Sequence, residues 1–284
     1  MPEMPLSCAG KRRAGRRASG RGGNAGVVQS LKARMRAGEA VNGFWVELFS
    51  PTAAEVMSAA GYDCAMIDLE HGTADLSDAV SVMRAMRGSG CTPLVRIPEN
   101  AAAWAKRVLD AGAAGVMIPA VNTAAEAQAA VAACHYPPRG LRGMAAPIVR
   151  AAGYGEDWRG YVEEIGHAVL VICQVETQQA LDNVAEIAAV DGLDMIFVGP
   201  FDLSASLGYM GEPDHPDVRA AIAAVEAAAK AEGCLLGGIP TPERTPRDLY
   251  EAGYDLVLGE IDLVLLREGA RLGAAALREA AGRR

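Results

Sequence analysis

The sequence predicts an α/β fold, a (β/α)8 TIM barrel with an additional C-terminal helix. Eight short apolar runs, most of them rich in β-branched residues, alternate with segments of helical period over about 250 residues. The 284 residues are 51% apolar and only 5% aromatic, which suits many alanine-rich helices packed on one sheet. No phosphate-binding glycine fingerprint follows the first run, and that disfavours the runner-up, a doubly wound open sheet.

In chain order, VVQSLKARMRAG reads as a helix closed by Gly38, and FWVELF as strand one. Helix TAAEVMSAAG leads to CAMIDLEHG, a second apolar run ending in charge. DLSDAVSVMRAMRGSG is a helix with a glycine stop, TPLVRIP the third strand, AAAWAKRVLDAGA a helix, and GVMIPAV the fourth strand. After helix TAAEAQAAVAACHYPP comes an irregular stretch, RGLRGMAAPIVRAAGYGEDWRGYVEEIG, too long for a simple connection and so a functional candidate. VLVICQVE and MIFVGP are strands five and six, joined by an amphipathic helix of about three turns. HPDVRAAIAAVEAAAKAEG, CLLGGIP, TPRDLYEAG and YDLVLGEI supply a helix, strand seven, a short helix and strand eight, and LREGARLGAAALREAAGRR closes the chain as a helix.

Residues 24–284 read as a single barrel domain. Residues 1–23 carry Lys11, Arg12, Arg13, Arg16, Arg17 and Arg21 with little apolar content, and read as a disordered Arg/Gly-rich tail. A targeting or nucleic-acid-binding arm is the lesser reading, since the stretch has no apolar face. The net charge of −8 argues against a general nucleic-acid binder, and no apolar run approaches the length needed to span a bilayer. Cys8, Cys64, Cys91, Cys134, Cys173 and Cys234 are scattered singly, as expected of reduced residues in a cytoplasmic protein.

A barrel places its chemistry at the carboxyl ends of its strands. Read in order, those ends carry Glu47; Asp68, Glu70 and His71; Arg96; Pro119; Gln174 and Glu176; Asp202; and Glu260 with Asp262. Strands five and six form one β-α-β unit, so Glu176 and Asp202 project from one edge of the sheet. The four lysines, Lys11, Lys32, Lys106 and Lys230, fall in the tail or on helices, which leaves no strand-end amine for a Schiff base. There is no G-x-S-x-G elbow and no Cys–His pair at a strand end. Two carboxylates without a Cys or His ligand cluster favour a hard divalent cation, Mg²⁺ or Mn²⁺. His71 closes its strand beside Glu70 and has the intrinsic pKa of a proton shuttle. Arg96 is either a surface ion pair or a binder of a substrate carboxylate or enolate oxygen. Asp110 in VLDAG is either a helix-end acid or a partner that orients His71.

GYDCAMIDLEHG, LVRIP, LDAGAAGVMIPAVNTAAEA, YPPRGLRG, QVET and GPFDLSASLGYMGEPDHPDV together resemble the HpcH/HpaI aldolases, metal-dependent class II pyruvate aldolases. The likeness runs from about Val41 to Arg267. It implies the barrel fold and reversible cleavage of a 4-hydroxy-2-oxo acid to pyruvate and an aldehyde. Examples are 4-hydroxy-2-oxoheptanedioate and a 2-keto-3-deoxy sugar acid. It also implies a divalent metal cofactor (Mg²⁺, Mn²⁺ or Co²⁺) on Glu176 and Asp202, with Gln174 and the Phe201 backbone against the 2-oxo acid. His71 would be the base, Asp110 the residue that raises its basicity, and Arg96 the stabiliser of the enolate. Small-molecule 2-oxo acid and aldehyde are the expected partners, within a homo-oligomeric hexamer, a trimer of dimers that exchange a C-terminal helix. Phe201 is bulkier than the alanine or serine common there, and Cys234 departs from a lysine found in a relative; both bear on the aldehyde side of the pocket. The competing readings are a CoA-thioester lyase, with Arg139, Arg142 and Arg150 as the phosphate groove, and a barrel that only binds its ligand.

Overall fold

Strands β1 (Val41–Val46), β2 (Cys64–Asp68), β3 (Thr92–Arg96), β4 (Gly115–Ile118), β5 (Leu170–Val175), β6 (Met195–Val198), β7 (Leu235–Gly238) and β8 (Leu256–Ile261) pair in sequence order, and β8 returns to β1. Every pair is parallel, so the sheet is a closed barrel without an edge, and the open-sheet alternative falls. The structure, a computed structural model, describes residues 30–282. The expected tail over 1–23 and Cys8 lie outside the described residues.

The helices are α1 (Leu31–Arg36), α2 (Pro51–Ala59), α3 (Leu76–Ala85), α4 (Ala102–Ala111), α5 (Ala124–Cys134), α6 (Trp158–Ala168), α7 (Gln178–Asp182), α8 (Val184–Ala188), α9 (Pro200–Ser206), α10 (Pro216–Ala231), α11 (Pro246–Glu251) and α12 (Asp262–Ala280). Local chemistry marks their ends. Ser50, Thr123 and Thr177 accept hydrogen bonds from the first-turn amides of α2, α5 and α7, and Asp75 with Asp78 and Thr245 with Asp248 form capping boxes. Gly112 stops α4 at φ 107°, in the left-handed region where a Cβ would be strained.

Side chains alternate between two cores. Phe44, Val46, Ala65, Ile67, Val95, Val116, Val171, Cys173, Ile196 and Val257 face outward and pack against the helices. Trp45, Met66, Leu94, Met117, Leu170, Ile172, Met195, Phe197 and Leu258 fill the barrel interior, with Leu31 and Met35 of α1 joining them. Lys32 of α1 pairs with Asp194 at 2.7 Å and donates to the Val169 carbonyl, so this helix floors the barrel at its amino end.

Several elements differ from expectation. Strand β1 spans Val41–Val46 rather than 44–49, because Asp262 takes the Glu47 and Leu48 amides and Phe49 turns to φ 47°. The stretch read as irregular contains α6, capped by Asp157, whose half-buried face carries Trp158, Tyr161, Val162 and Ile165 at helical spacing. The helix between β5 and β6 is two short helices, α7 and α8, that meet at Asn183, whose side chain donates to the Asn122 and Gln179 carbonyls. The five cysteines among the described residues are free, four of them buried. No helix there is long and apolar enough to cross a membrane.

Candidate active site

Strand register sets the site. Val46 pairs with Ile67, so the next step brings Glu47 level with Asp68, and Asp68 pairs directly with Arg96. Trp45, Met66 and Leu94 point into the barrel, and by the two-residue period so do Glu47, Asp68 and Arg96. The apolar interior is thus roofed at its carboxyl end by a charged layer.

Arg96 is 8% exposed and Asp68 fully buried. Arg96 donates Nε to Asp68 Oδ1 at 2.8 Å and Nη2 to Oδ2 at 2.5 Å, a two-pronged pair that fixes the guanidinium plane. Its Nη1 lies 3.2 Å from Glu70 Oε2, and its Cζ stacks 4.4 Å from the centroid of the Trp45 ring. Asp68 also accepts the amides of Glu70 and His71, at 3.0 and 3.4 Å. Burial opposes its charge, yet Arg96 and these donors hold its carboxyl below the usual range.

On β5 and its exit, Gln174 and Glu176 are buried. Glu176 Oε1 accepts the Ala120 amide at 2.8 Å, and Oε2 accepts Gln174 Nε2 at 2.9 Å. The carboxylate packs over Gly199, where a Cβ would fall 2.7 Å from Oε2; a side chain there would displace it. Burial pushes Glu176 up to about 7; the Ala120 amide pulls the other way, while Asp202 and Glu70 push further. Glu70 is likewise raised by burial, with Arg96 pulling it down and Asp68 and Asp202 pushing it up. Asp202 is exposed and lies in the first turn of α9 rather than on a strand, because Pro200 starts the helix immediately after Gly199.

Glu70, Glu176, Asp202 and Arg96 therefore converge on the barrel mouth. Phe201 sits beside them, 46% exposed, its amide among those that the first turn of α9 leaves without a helical partner. His71 stands on the rim with its side chain 64% exposed and Nε2 3.9 Å from Glu70 Oε2. Asp110 is elsewhere. It occupies the last turn of α4, which runs from the end of β3 back to the start of β4, and so lies at the opposite end of the barrel. There it pairs with the buried Arg142 at 2.6 Å, and within the chain it shares no hydrogen bond or ion pair with His71 among the described residues.

The arginines of the supposed phosphate groove are also occupied. Arg142 is buried between Asp110 and Tyr161, Arg139 donates to the Gly166 carbonyl, and Arg150 donates to the Ala111 carbonyl. Glu47 was readable only as a strand-end acid. Burial, and after it the neighbouring Asp68, push its carboxyl up to about 8. The signal for it was parity, since Trp45 and Glu47 share a face.

The donor set fits a hard divalent ion. Glu176 and Asp202 are carboxylate oxygens that act on each other together with Glu70, and a dication would offset both the burial of the Glu176 charge, which is the main cause of its raised value, and the added repulsion. Two protein carboxylates suffice where water and substrate oxygens complete the shell. Among the described residues no group of three or more His, Cys, Asp or Glu is arranged around one ion position.

Comparison with known proteins fixes the family and the fold. The chain is 41% identical over 240 residues to hydroxypyruvate/pyruvate aldolase of Sagittula stellata, covering 84% of this chain and 94% of the relative. It is 36% identical over 253 residues to 4-hydroxy-2-oxo-heptane-1,7-dioate aldolase of Salmonella paratyphi C, covering 88% and 94%. The crystal structure of an HpcH/HpaI aldolase/citrate lyase family protein from Burkholderia cenocepacia superposes with a TM-score of 0.83 at 40% identity, covering 87% of this chain and 98% of that one. With the family model for HpcH/HpaI aldolase/citrate lyase matching residues 42–268, nearly the whole barrel, the chain belongs to that family of carbon–carbon lyases.

Proposed function

We propose that this chain is a divalent-metal-dependent aldolase that cleaves a 4-hydroxy-2-oxo acid reversibly to pyruvate and an aldehyde. The observation that carries the reading is the convergence of Glu176, Asp202 and Glu70 with Arg96 at the carboxyl end of the barrel. Its relatives are named aldolases, and the arginines proposed for a CoA phosphate groove do not form a free basic face: Arg142 is buried against Asp110 and Tyr161, and Arg139 and Arg150 donate to backbone carbonyls.

Glu176 and Asp202 would hold Mg²⁺, Mn²⁺ or Co²⁺, whose Lewis acidity polarises the 2-oxo group and stabilises negative charge on its oxygen. Arg96, locked by Asp68 and Trp45, presents a fixed positive charge toward the same oxygen as the C3–C4 bond breaks. Gln174 orients Glu176, and the Phe201 amide is a donor for the 2-oxo acid's carboxylate. His71, with Nε2 3.9 Å from Glu70 Oε2 on the rim, removes the proton of the C4 hydroxyl.

The deciding experiment is a coupled assay of pyruvate release from a panel of 4-hydroxy-2-oxo acids with each metal. Wild type should release pyruvate and lose that activity on exhaustive chelation, and His71→Ala should be slower by about 10²–10⁴. No pyruvate from any substrate overturns the function; full activity after chelation overturns the metal.

Asp110 reaches His71 only if a second copy of the chain presents it. Helix α12 is consistent with assembly. Only Asp262 of its 19 residues is buried, and Leu263, Leu265, Leu266, Leu272 and Leu277 are exposed. A homo-hexamer built from dimers that exchange this helix covers that face. Sedimentation should show it, and a monomer at assay concentration would reject both the assembly and the role of Asp110.

A further inference from the structure

Cleavage on the aldolase reading, on which this inference rests, leaves a three-carbon enolate whose C3 must gain a proton before pyruvate can leave. Glu176 and Asp202 are committed to the metal, and Arg96 does not give up a proton. His71 is on the rim, at the hydroxyl of the departing aldehyde. The charged layer holds one more acid. We propose that Glu47 delivers the proton to C3 of the enolate and, in the direction of synthesis, removes it from the methyl group of pyruvate.

Placement and partners support this role. Glu47 is level with Asp68 and Arg96 on the inner face of the barrel, as the register of β1, β2 and β3 requires. Its amide donates to Asp262 Oδ1 at 2.9 Å, and the Leu48 amide is held by the same carboxylate, so the strand exit is pinned. Its carboxyl is hydrogen-bonded to Asp68. Two carboxyl groups in such contact share one proton, and the neighbours decide its place. Asp68 already accepts Arg96 through both oxygens and the Glu70 amide, interactions that all favour its anion. The proton therefore resides on Glu47.

The groups facing Glu47 are Asp68 of β2, Arg96 of β3 and Asp262 at the head of α12. The two carboxylates favour the proton on Glu47, and Arg96 pulls the other way. Glu47 is half-buried, so water can recharge it. In the step itself the Glu47 O–H bond breaks and the C2–C3 π pair forms the new C3–H bond. The C2 carbonyl re-forms, and the carboxylate left behind takes a proton from water. No oxidant or reductant is needed.

The test is exchange of the pyruvate methyl protons in D2O, followed by NMR with the metal-loaded enzyme, beside pyruvate release from the hydroxy acid. Wild type should exchange. Glu47→Gln keeps the size and the hydrogen bond to Asp68, so it should melt like wild type and bind the metal with equal affinity in calorimetry. Its exchange should be slower by about 10² or more, and Glu47→Asp should recover part of the loss. Exchange by Glu47→Gln within about threefold of wild type overturns this assignment alone. A wild-type chain that neither exchanges nor cleaves overturns the aldolase reading, and this assignment with it.

Discussion

Glu176→Gln should reduce pyruvate release by about 10³ or more, because it removes one of two anionic metal donors and several kcal/mol of charge stabilisation with it. The fold should not suffer. Glutamine is isosteric and can still accept the Ala120 amide through its carbonyl oxygen. The metal-free wild type carries a cost that the variant lacks. Glu176 ionises at about 7 in the folded chain, above the ordinary carboxylate value, so the unfolded state loses this proton first as pH rises. Ionising Glu176 therefore erodes folded-state stability between roughly pH 4.5 and 7, and the loss is complete above that window. Metal-free Glu176→Gln at pH 8 should melt at or above the wild-type temperature, whereas added Mg²⁺ or Mn²⁺ should raise the melting temperature of wild type only. Equal metal-induced shifts in the two proteins would remove Glu176 from the metal site.

Arg96→Lys should lose about 10²–10³ in kcat with a smaller change in KM, since the fixed charge acts on the enolate oxygen as it develops. A lysine cannot reproduce the two parallel bonds to Asp68 or the stacking on Trp45. Arg96→Ala should in addition cost about 3–5 kcal/mol of stability, because it strands the fully buried Asp68 without its cation. Thermal melts separate the two effects. A lysine variant that is stable and retains wild-type kcat would leave Arg96 as a purely structural partner of Asp68.

The barrel was legible because its strands are short apolar runs bounded by turn chemistry, and eight of them alternate with helices. Glu176 was legible for the same reason, as an acid directly after a buried strand. Asp202 was placed one element too early, since a Pro at the first helical position looks in sequence like the end of a strand. Asp110 shows a deeper limit. It lies only 14 positions after Arg96, yet α4 descends about 15 Å from the mouth toward the floor between them. Closeness along the chain is undone by one helix. Glu47 needed the register, because its role depends on which acid of a facing pair Arg96 already holds. Helix α6 does write a period, with Trp158, Tyr161, Val162 and Ile165 on one half-buried face, but the glycines and arginines around it made the stretch read as irregular.

Asp262 gives the seam between the first and last strands a further meaning. One carboxylate gathers the amides of Glu47 and Leu48 at the exit of β1 and that of Leu263 at the start of α12. The final helix is thus anchored to the same atom that anchors the strand exit bearing Glu47. Displacing that helix pulls on the backbone beneath an inward-facing acid more than 200 positions earlier in the chain. The first turn of α12 and the exit of β1 thereby hang from one carboxylate, so the start of the last helix and the rim of the barrel mouth are set by the same side chain.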